Sequence, residues 1–82
     1  MKTVEGLYRL QCQYDAFADQ ARLDAEMYDE KAVNAPNEDF RAFYLRLAES
    51  RRNSMESFRQ SAKFYADEIK YVRRLKRISE RV

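Results

Sequence analysis

The segment Asn34-Ala35-Pro36-Asn37 is the one clear interruption in a chain that otherwise repeats apolar residues at helical spacing. Proline disfavours helix in the residue before it, and asparagine is a favoured N-cap of a following helix. Glu38 and Asp39 come next, where negative charge complements the dipole of a new helix. We therefore expect the chain to reverse direction at residues 34–37.

The scarcity of turn-forming residues decides the fold class. One glycine and one proline in 82 residues are too few for the turns of β-hairpins, sandwiches or barrels. A chain of this length also lies near the lower limit at which one hydrophobic core is stable. The sequence therefore predicts an all-α fold, with residues 1–82 in a single helical domain.

Apolar residues recur every three or four positions on both sides of residues 34–37, which is the spacing of one helix face. In the first half they are Val4, Leu7, Leu10, Tyr14, Phe17, Ala21, Ala25, Tyr28 and Ala32. In the second half they are Phe40, Phe43, Tyr44, Leu47, Ala48, Met55, Phe58, Ala62, Tyr65, Ile69, Val72, Leu75 and Val82. We predict one helix over about residues 3–33 and another over about residues 38–81, packed as a long antiparallel hairpin.

An alternative fold is a three-helix bundle with a break near residues 50–54. This stretch is polar, and Asn53 with Glu56 resembles a helix N-cap and its partner three residues on. Against a break, the stretch contains neither glycine nor proline, so the hairpin is favoured. Because a lone hairpin buries one stripe of each helix, we expect two copies to dimerise into a four-helix bundle.

The position of the turn predicts which residues of the hairpin face one another. A turn centred between residues 35 and 36 places residue 17 opposite residue 54, with Phe17 and Phe58 inside the interhelical interface. Small residues would pack beside them, at Ser50, Ser54, Ser57 and Ser61. Asp24 is the charged residue in the stripe of the first helix, and Arg51 is its expected partner.

Residues that carry catalysis or bind metals are scarce. The chain has no histidine, one cysteine and no glycine-rich segment, which excludes triads, zinc sites with histidine, disulfide frameworks and phosphate loops. We predict a protein that is not an enzyme and that uses no cofactor and no metal. Cys12 is expected to be a structural small hydrophobe in a reducing compartment. Without a signal-like or membrane-spanning apolar run, a cytoplasmic protein with no membrane contact is predicted.

Charge is divided unevenly along the chain, although the net charge is +2. Residues 1–39 carry four basic and nine acidic side chains, whereas residues 40–82 carry twelve basic and five acidic ones. Because the second helix is the longer, residues from about 70 onward would project past the first helix. We predict that this basic projection binds a partner, through Lys70, Tyr71, Arg73, Arg74, Lys76, Arg77, Ile78 and Arg81.

A second apolar row on the second helix is the candidate surface for dimerisation. It lies on a different face from the row that contains Tyr65, Ile69 and Val72. Its members are Phe64, Tyr71, Leu75, Ile78 and Val82.

These features favour a non-enzymatic protein–protein interaction module, a homo-oligomer that binds an acidic or mixed-charge surface of another protein. Short, charged, glycine-poor helical chains are typical of small inhibitors and adaptors encoded by bacteriophages and mobile elements, including anti-defence proteins. The alternative is a small nucleic-acid-binding protein that uses the basic C-terminal helix. It is less favoured because the acidic first helix would repel phosphate groups.

Overall fold

The computed structural model describes residues 3–80 and consists of two long antiparallel helices. Helix α1 spans Val4–Val33 and helix α2 spans Glu38–Glu80. Together they form a rod whose principal extents are 69 × 16 × 14 Å. The all-α hairpin predicted from the apolar spacing is confirmed, and residues 3–80 contain no strand.

Local hydrogen bonds at the N-termini explain where each helix begins. The Thr3 hydroxyl accepts a hydrogen bond of 3.0 Å from the Gly6 N–H, and Asn37 Oδ1 accepts one of 3.0 Å from the Phe40 N–H. Both contacts satisfy N–H groups that have no partner within the helix. Asn34 ends α1, and its Nδ2 donates to the Glu30 carbonyl. The predicted role of an asparagine as N-cap is thus confirmed at residue 37.

Helix α2 runs without interruption through residues 50–54, so the three-helix alternative is wrong. Asn53 and Glu56 resemble a helix N-cap and its partner in the sequence, but no new helix begins there. Both side chains are exposed and the backbone remains helical. The apolar spacing of the inner face also continues past this stretch, through Ala48, Met55 and Ala62. Continuous packing against α1 therefore outweighs the weak local signal for a break.

The interhelical interface is built mainly from alanine. The buried residues among those described are Leu7, Ala18, Ala21, Ala25, Ala32, Ala48, Ala62 and Ile69. Small side chains allow two helices to approach closely. Each buried methyl group contributes on the order of 0.8 kcal/mol, which is less than half the contribution of a buried leucine or phenylalanine. The hairpin thus has a thin core with no large residue completely enclosed.

Phe17 lies at the edge of this interface, 42% exposed, and its predicted burial is wrong. The buried residue at that level of α1 is the neighbouring Ala18, 5% exposed. The reason is the close approach of the helices, which leaves room for a methyl group but not for an aromatic ring. Phe58, the other predicted interface residue, is half-buried and contacts the Phe17 ring at a centroid distance of 5.4 Å.

The two helices pair about one helical turn away from the predicted register. Phe17 contacts Phe58 instead of facing Ser54, and Tyr14 stacks on Tyr65 with a centroid distance of 5.7 Å. A consequence is that α1 covers α2 further toward its C-terminus than expected. Ile69 is buried, Val72 is half-buried, and every residue of 73–80 is exposed. The projection therefore begins at residue 73 and not at residue 70.

The predicted ion pair between Asp24 and Arg51 is also wrong. Asp24 accepts a hydrogen bond of 3.0 Å from Gln20 within α1. Within residues 3–80, the salt bridge that crosses between the helices joins Asp29 to Arg52, with 2.8 Å between Oδ2 and NH1. Arg51 lies in the interface, where its Nε atom is buried without a hydrogen-bond partner. The shift in register explains why the neighbouring arginine forms the pair.

Candidate protein-binding surfaces

Many of the large apolar side chains of the hairpin are exposed to solvent. Twelve such residues among those described are between 40% and 83% exposed, whereas none is completely buried. They are Tyr8, Phe17, Leu23, Met27, Val33, Phe40, Phe43, Leu45, Phe64, Tyr71, Leu75 and Ile78. Single exposed hydrophobic residues are ordinary on a protein surface, but rows of them mark interaction sites.

Half of these residues lie in one row along α2, here called the apolar stripe. Its positions alternate by three and four residues, a spacing that keeps them on one side of a helix that supercoils to the left. The stripe consists of Phe40, Phe43, Leu47, Ser50, Ser54, Ser57, Ser61, Phe64, Glu68, Tyr71, Leu75 and Ile78. The two ends are apolar except for Glu68, and the middle is formed by four serines.

The structure corrects two predictions that concern this stripe. Phe40 and Phe43, assigned from the sequence to the intramolecular interface, are 50% and 49% exposed. The serine strip was expected inside that interface, yet Ser50 and Ser57 are exposed and Ser54 and Ser61 are only half-buried. The apolar row predicted at Phe64, Tyr71, Leu75, Ile78 and Val82 thus extends back to residue 40, while Val82 itself lies outside the described residues. The signal was present in the unbroken spacing of three and four across the serines.

Four basic side chains form a second surface, here called the basic patch. Lys70, Arg73, Arg74 and Arg77 line one shallow concavity near the C-terminal end of α2. All four are exposed, and none takes part in a salt bridge within residues 3–80. Unpaired, closely spaced cations raise the local potential and attract acidic ligands.

The remaining predicted partner-binding residues fall on other sides of the helix. Tyr71 and Ile78 belong to the apolar stripe, which at about 100° per residue lies roughly 120° around α2 from the basic patch. Lys76 lines a separate concavity with Val72 and Leu75. In the part of α2 before residue 73, this side of the helix faces α1. Arg81 lies outside the described residues.

The opposite end of the rod is acidic. Glu26, Asp29 and Glu30 precede the turn, and Glu38 and Asp39 follow it. Since residues 39 and 74 are 35 positions apart in one helix, about 52 Å separates the acidic end from the basic patch. The ion pairs of Glu26 with Arg22 and of Glu38 with Arg41 neutralise part of the acidic charge. The hairpin is therefore electrically polarised along its length.

Cys12 is exposed and not part of the interface, which corrects the prediction of a structural hydrophobe. The Cys12 side chain, as a hydrogen-bond partner and through its negative charge when ionised, raises the pKa of the exposed Tyr8. The two side chains lie on α1. The thiol is a free, accessible group that can be labelled or replaced.

Comparison with known proteins adds no assignment: no family model, curated protein or solved structure matches the chain. Neither α1 nor α2, as described over residues 3–80, is long and apolar enough to cross a membrane. The apolar stripe and the basic patch are therefore the features from which a function can be argued.

Proposed function

We propose that the protein is a non-enzymatic protein–protein interaction module that binds an acidic surface of a macromolecular target through the basic patch. The observation that carries the proposal is the group of Lys70, Arg73, Arg74 and Arg77, four exposed cations on one side of α2 without an ion-pair partner in the described chain. Arginine and lysine clusters recognise acidic motifs by charge-assisted hydrogen bonds. The predicted role as a small inhibitor or adaptor of the phage or mobile-element type belongs to this proposal.

Nucleic acid is the second candidate ligand, because the same four cations could contact phosphates. A binding mode along the rod would bring the phosphate backbone beside the acidic row of α1, which includes Asp15, Asp19 and Glu26. Repulsion from that row weakens such binding, since phosphate contacts dominate the affinity for nucleic acids. An acidic protein surface that meets only the end of the rod avoids this penalty.

We also propose that the acting form is a homodimer arranged as a four-helix bundle. The accessible surface of the hairpin is 6583 Å². A compact protein of 9.9 kDa exposes about 5,200 Å² by the usual scaling of surface with mass. The excess of roughly 1,400 Å² exceeds the surface that each partner contributes to a typical stable complex, about 800 Å². Together with the alanine-rich core, this excess supports association with another copy.

The test of target binding replaces the cations of the patch. The variant carries Arg73→Glu, Arg74→Glu and Arg77→Glu, and its matched control carries Arg46→Glu, Arg59→Glu and Lys63→Glu, with the same change of net charge. Affinity capture from host lysate measures recovery of the dominant bound protein. We expect the control to retain that protein and the patch variant to lose it. Equal recovery by both variants would remove the basic patch as the binding site.

A second measurement separates the two ligand classes. Fluorescence anisotropy with labelled 20-mer DNA and RNA, single- and double-stranded, reports nucleic-acid binding at low salt. We expect no saturable binding to any of them. Tight binding that weakens steeply with salt and disappears in the patch variant would replace the protein-binding proposal with the nucleic-acid alternative.

A further inference from the structure

We propose that the second copy docks antiparallel along the apolar stripe, so that α2 of one copy packs against α2 of the other. In this arrangement Phe43 of one copy lies opposite Leu75 of the other, and Leu47 lies opposite Tyr71. The inference rests on the proposed homodimer and goes beyond it by naming the surface, the direction and the register of the two copies.

The stripe is complementary to itself when its direction is reversed. Reading from residue 40 forward and from residue 78 backward gives the same alternation of three and four residues. Each position of one copy then meets a stripe position of the other, as in the layers of antiparallel coiled coils. The apolar ends come together as Phe40 with Ile78, Phe43 with Leu75, and Leu47 with Tyr71.

The middle of the stripe is suited to the closest approach of the two helices. Ser57 of one copy lies opposite Ser61 of the other, and Ser54 lies opposite Phe64, so that a small residue faces a large one. Alternation of large and small side chains fills an interface at native density. The hydroxyl groups can also donate hydrogen bonds within their own helix and need no partner across the interface.

The length of the stripe identifies α2 as its own partner. From Phe40 to Ile78 the stripe extends about 57 Å, whereas the 30 residues of α1 span about 45 Å. A second α2, with 43 residues and about 64 Å, can cover the whole stripe at once. The exposed residues beyond the end of α1, Leu75 and Ile78, would otherwise remain uncovered.

The distribution of charge along the hairpin favours antiparallel over parallel pairing of the two copies. In a parallel pair both basic ends would lie at one end of the dimer and both acidic turns at the other, so that like charges would repel each other. The antiparallel pair places the basic end of each copy beside the acidic end of the other, near Glu38 and Asp39. Complementary potentials of this kind fix the orientation of partners more than they raise affinity.

The contact area fits a specific dimer. A helix–helix contact about 57 Å long and about 10 Å wide covers roughly 600 Å² on each copy, at the lower end of the range for specific complexes. Arg52 and Asp29 mark one side of the interhelical interface, and the stripe lies on the other side. Phe17 and Met27 of α1 lie on the same side as the stripe, 42% and 41% exposed, and enlarge the contact.

This arrangement has a consequence for the proposed function. The basic patch lies roughly 120° around α2 from the stripe, so the second copy leaves it accessible. The two patches of a dimer then lie at opposite ends of the rod. The dimer would present two identical binding surfaces that point to separate acidic targets, or to two sites on one target.

Distances between spin labels test the arrangement. In a Cys12→Ser background, the single variants Gln60→Cys and Ser79→Cys carry a nitroxide at exposed positions outside the stripe. Antiparallel pairing predicts a separation below about 20 Å for residue 60 and about 60 Å for residue 79. A short distance at both positions would mean parallel pairing and would overturn this inference while leaving the dimer intact. Absence of any intermolecular distance would overturn both.

A pair of matched variants tests the surface independently. Phe64→Asp places a charge in the stripe, whereas Ala42→Asp places the same charge at an exposed position on another side of α2. Because each dimer contains two copies of the change, we expect Phe64→Asp to weaken the dimer by at least about 100-fold in sedimentation equilibrium. Ala42→Asp should change it by less than about threefold. Equal effects of the two variants would place the dimer contact elsewhere.

Discussion

Arg52 and Asp29 form the salt bridge that joins α2 to α1, with 2.8 Å between NH1 and Oδ2. The other five salt bridges of residues 3–80 connect residues three or four positions apart within one helix. Both partners are nearly half-exposed, at 46% and 45% of their side chains. The pair therefore marks the register of the hairpin without enclosing a charge in its core.

Replacing this salt bridge should cost little stability. Exposed ion pairs contribute about 0.2–1 kcal/mol, because solvent screens the attraction and ordering two long side chains costs entropy. We expect Arg52→Met, Asp29→Asn and the double variant to be destabilised by less than about 1 kcal/mol in chemical denaturation, with a small coupling energy. A coupling well above 2 kcal/mol would show that the pair is essential to the fold.

The stability of the hairpin should depend strongly on the size of the side chains in the alanine-rich interface. Ala48 is completely buried, so the larger side chain of Ala48→Leu would force the helices apart and cost about 1–3 kcal/mol. Ala42→Leu introduces the same side chain at an exposed position of the same helix and should change stability by less than about 0.5 kcal/mol. Thermal unfolding followed by circular dichroism compares the two. Similar melting temperatures would contradict close helix packing at Ala48.

Phe58 should contribute more to the stability of the hairpin than Phe17, its neighbour in the aromatic cluster. Phe58 is half-buried and contacts the rings of both Tyr14 and Phe17, at centroid distances of 6.2 and 5.4 Å. Phe17 is 42% exposed. We expect Phe58→Ala to cost about 2–4 kcal/mol and Phe17→Ala to cost about 1 kcal/mol in denaturant titrations at concentrations where the oligomeric state is unchanged. The reverse order would mean that Phe17 occupies the interface.

The hairpin itself could be predicted because its signals are local and agree. Pro36 and Asn37 mark the turn, and apolar spacing extends on either side without a glycine or proline in α2. The turn alone does not determine the register of the two helices. Its midpoint estimates which residues face one another, but the actual pairing follows from the contacts that pack best along both helices.

The details of the interface could not be predicted from hydrophobicity. Phe17 and Ala18 are adjacent and both apolar, so the pattern fits either residue on the inner face, and the larger one is the natural choice. Close helix approach selects the alanine. The same ambiguity affects Phe43 and Tyr44, where the structure places the tyrosine inward and leaves the phenylalanine on the apolar stripe. Side-chain size acts through three-dimensional packing, which a linear pattern does not contain.

The N-cap of α2 should be a measurable contributor to stability. Asn37 Oδ1 accepts the hydrogen bond from the Phe40 N–H, and removal of the acceptor in Asn37→Ala leaves that donor without its partner. We expect a loss of about 1 kcal/mol in chemical denaturation. Asn53→Ala, in the middle of α2, should have no cost and a small gain, since alanine has the higher helix propensity. A loss of equal size at both positions would argue against a specific capping contact.

Truncation of the chain after Val72 tests whether the hairpin fold and the two proposed binding surfaces can be separated. Every described residue after Val72 is exposed, so removing the C-terminal ten residues deletes no part of the intramolecular core. It does remove Arg73, Arg74 and Arg77 of the basic patch and Leu75 and Ile78 of the stripe. We therefore expect residues 1–72 to retain their helical signal per residue in circular dichroism, while capture of the target is lost and the dimer is weakened. Unchanged target binding and unchanged dimer affinity would show that neither surface requires the C-terminal end of α2.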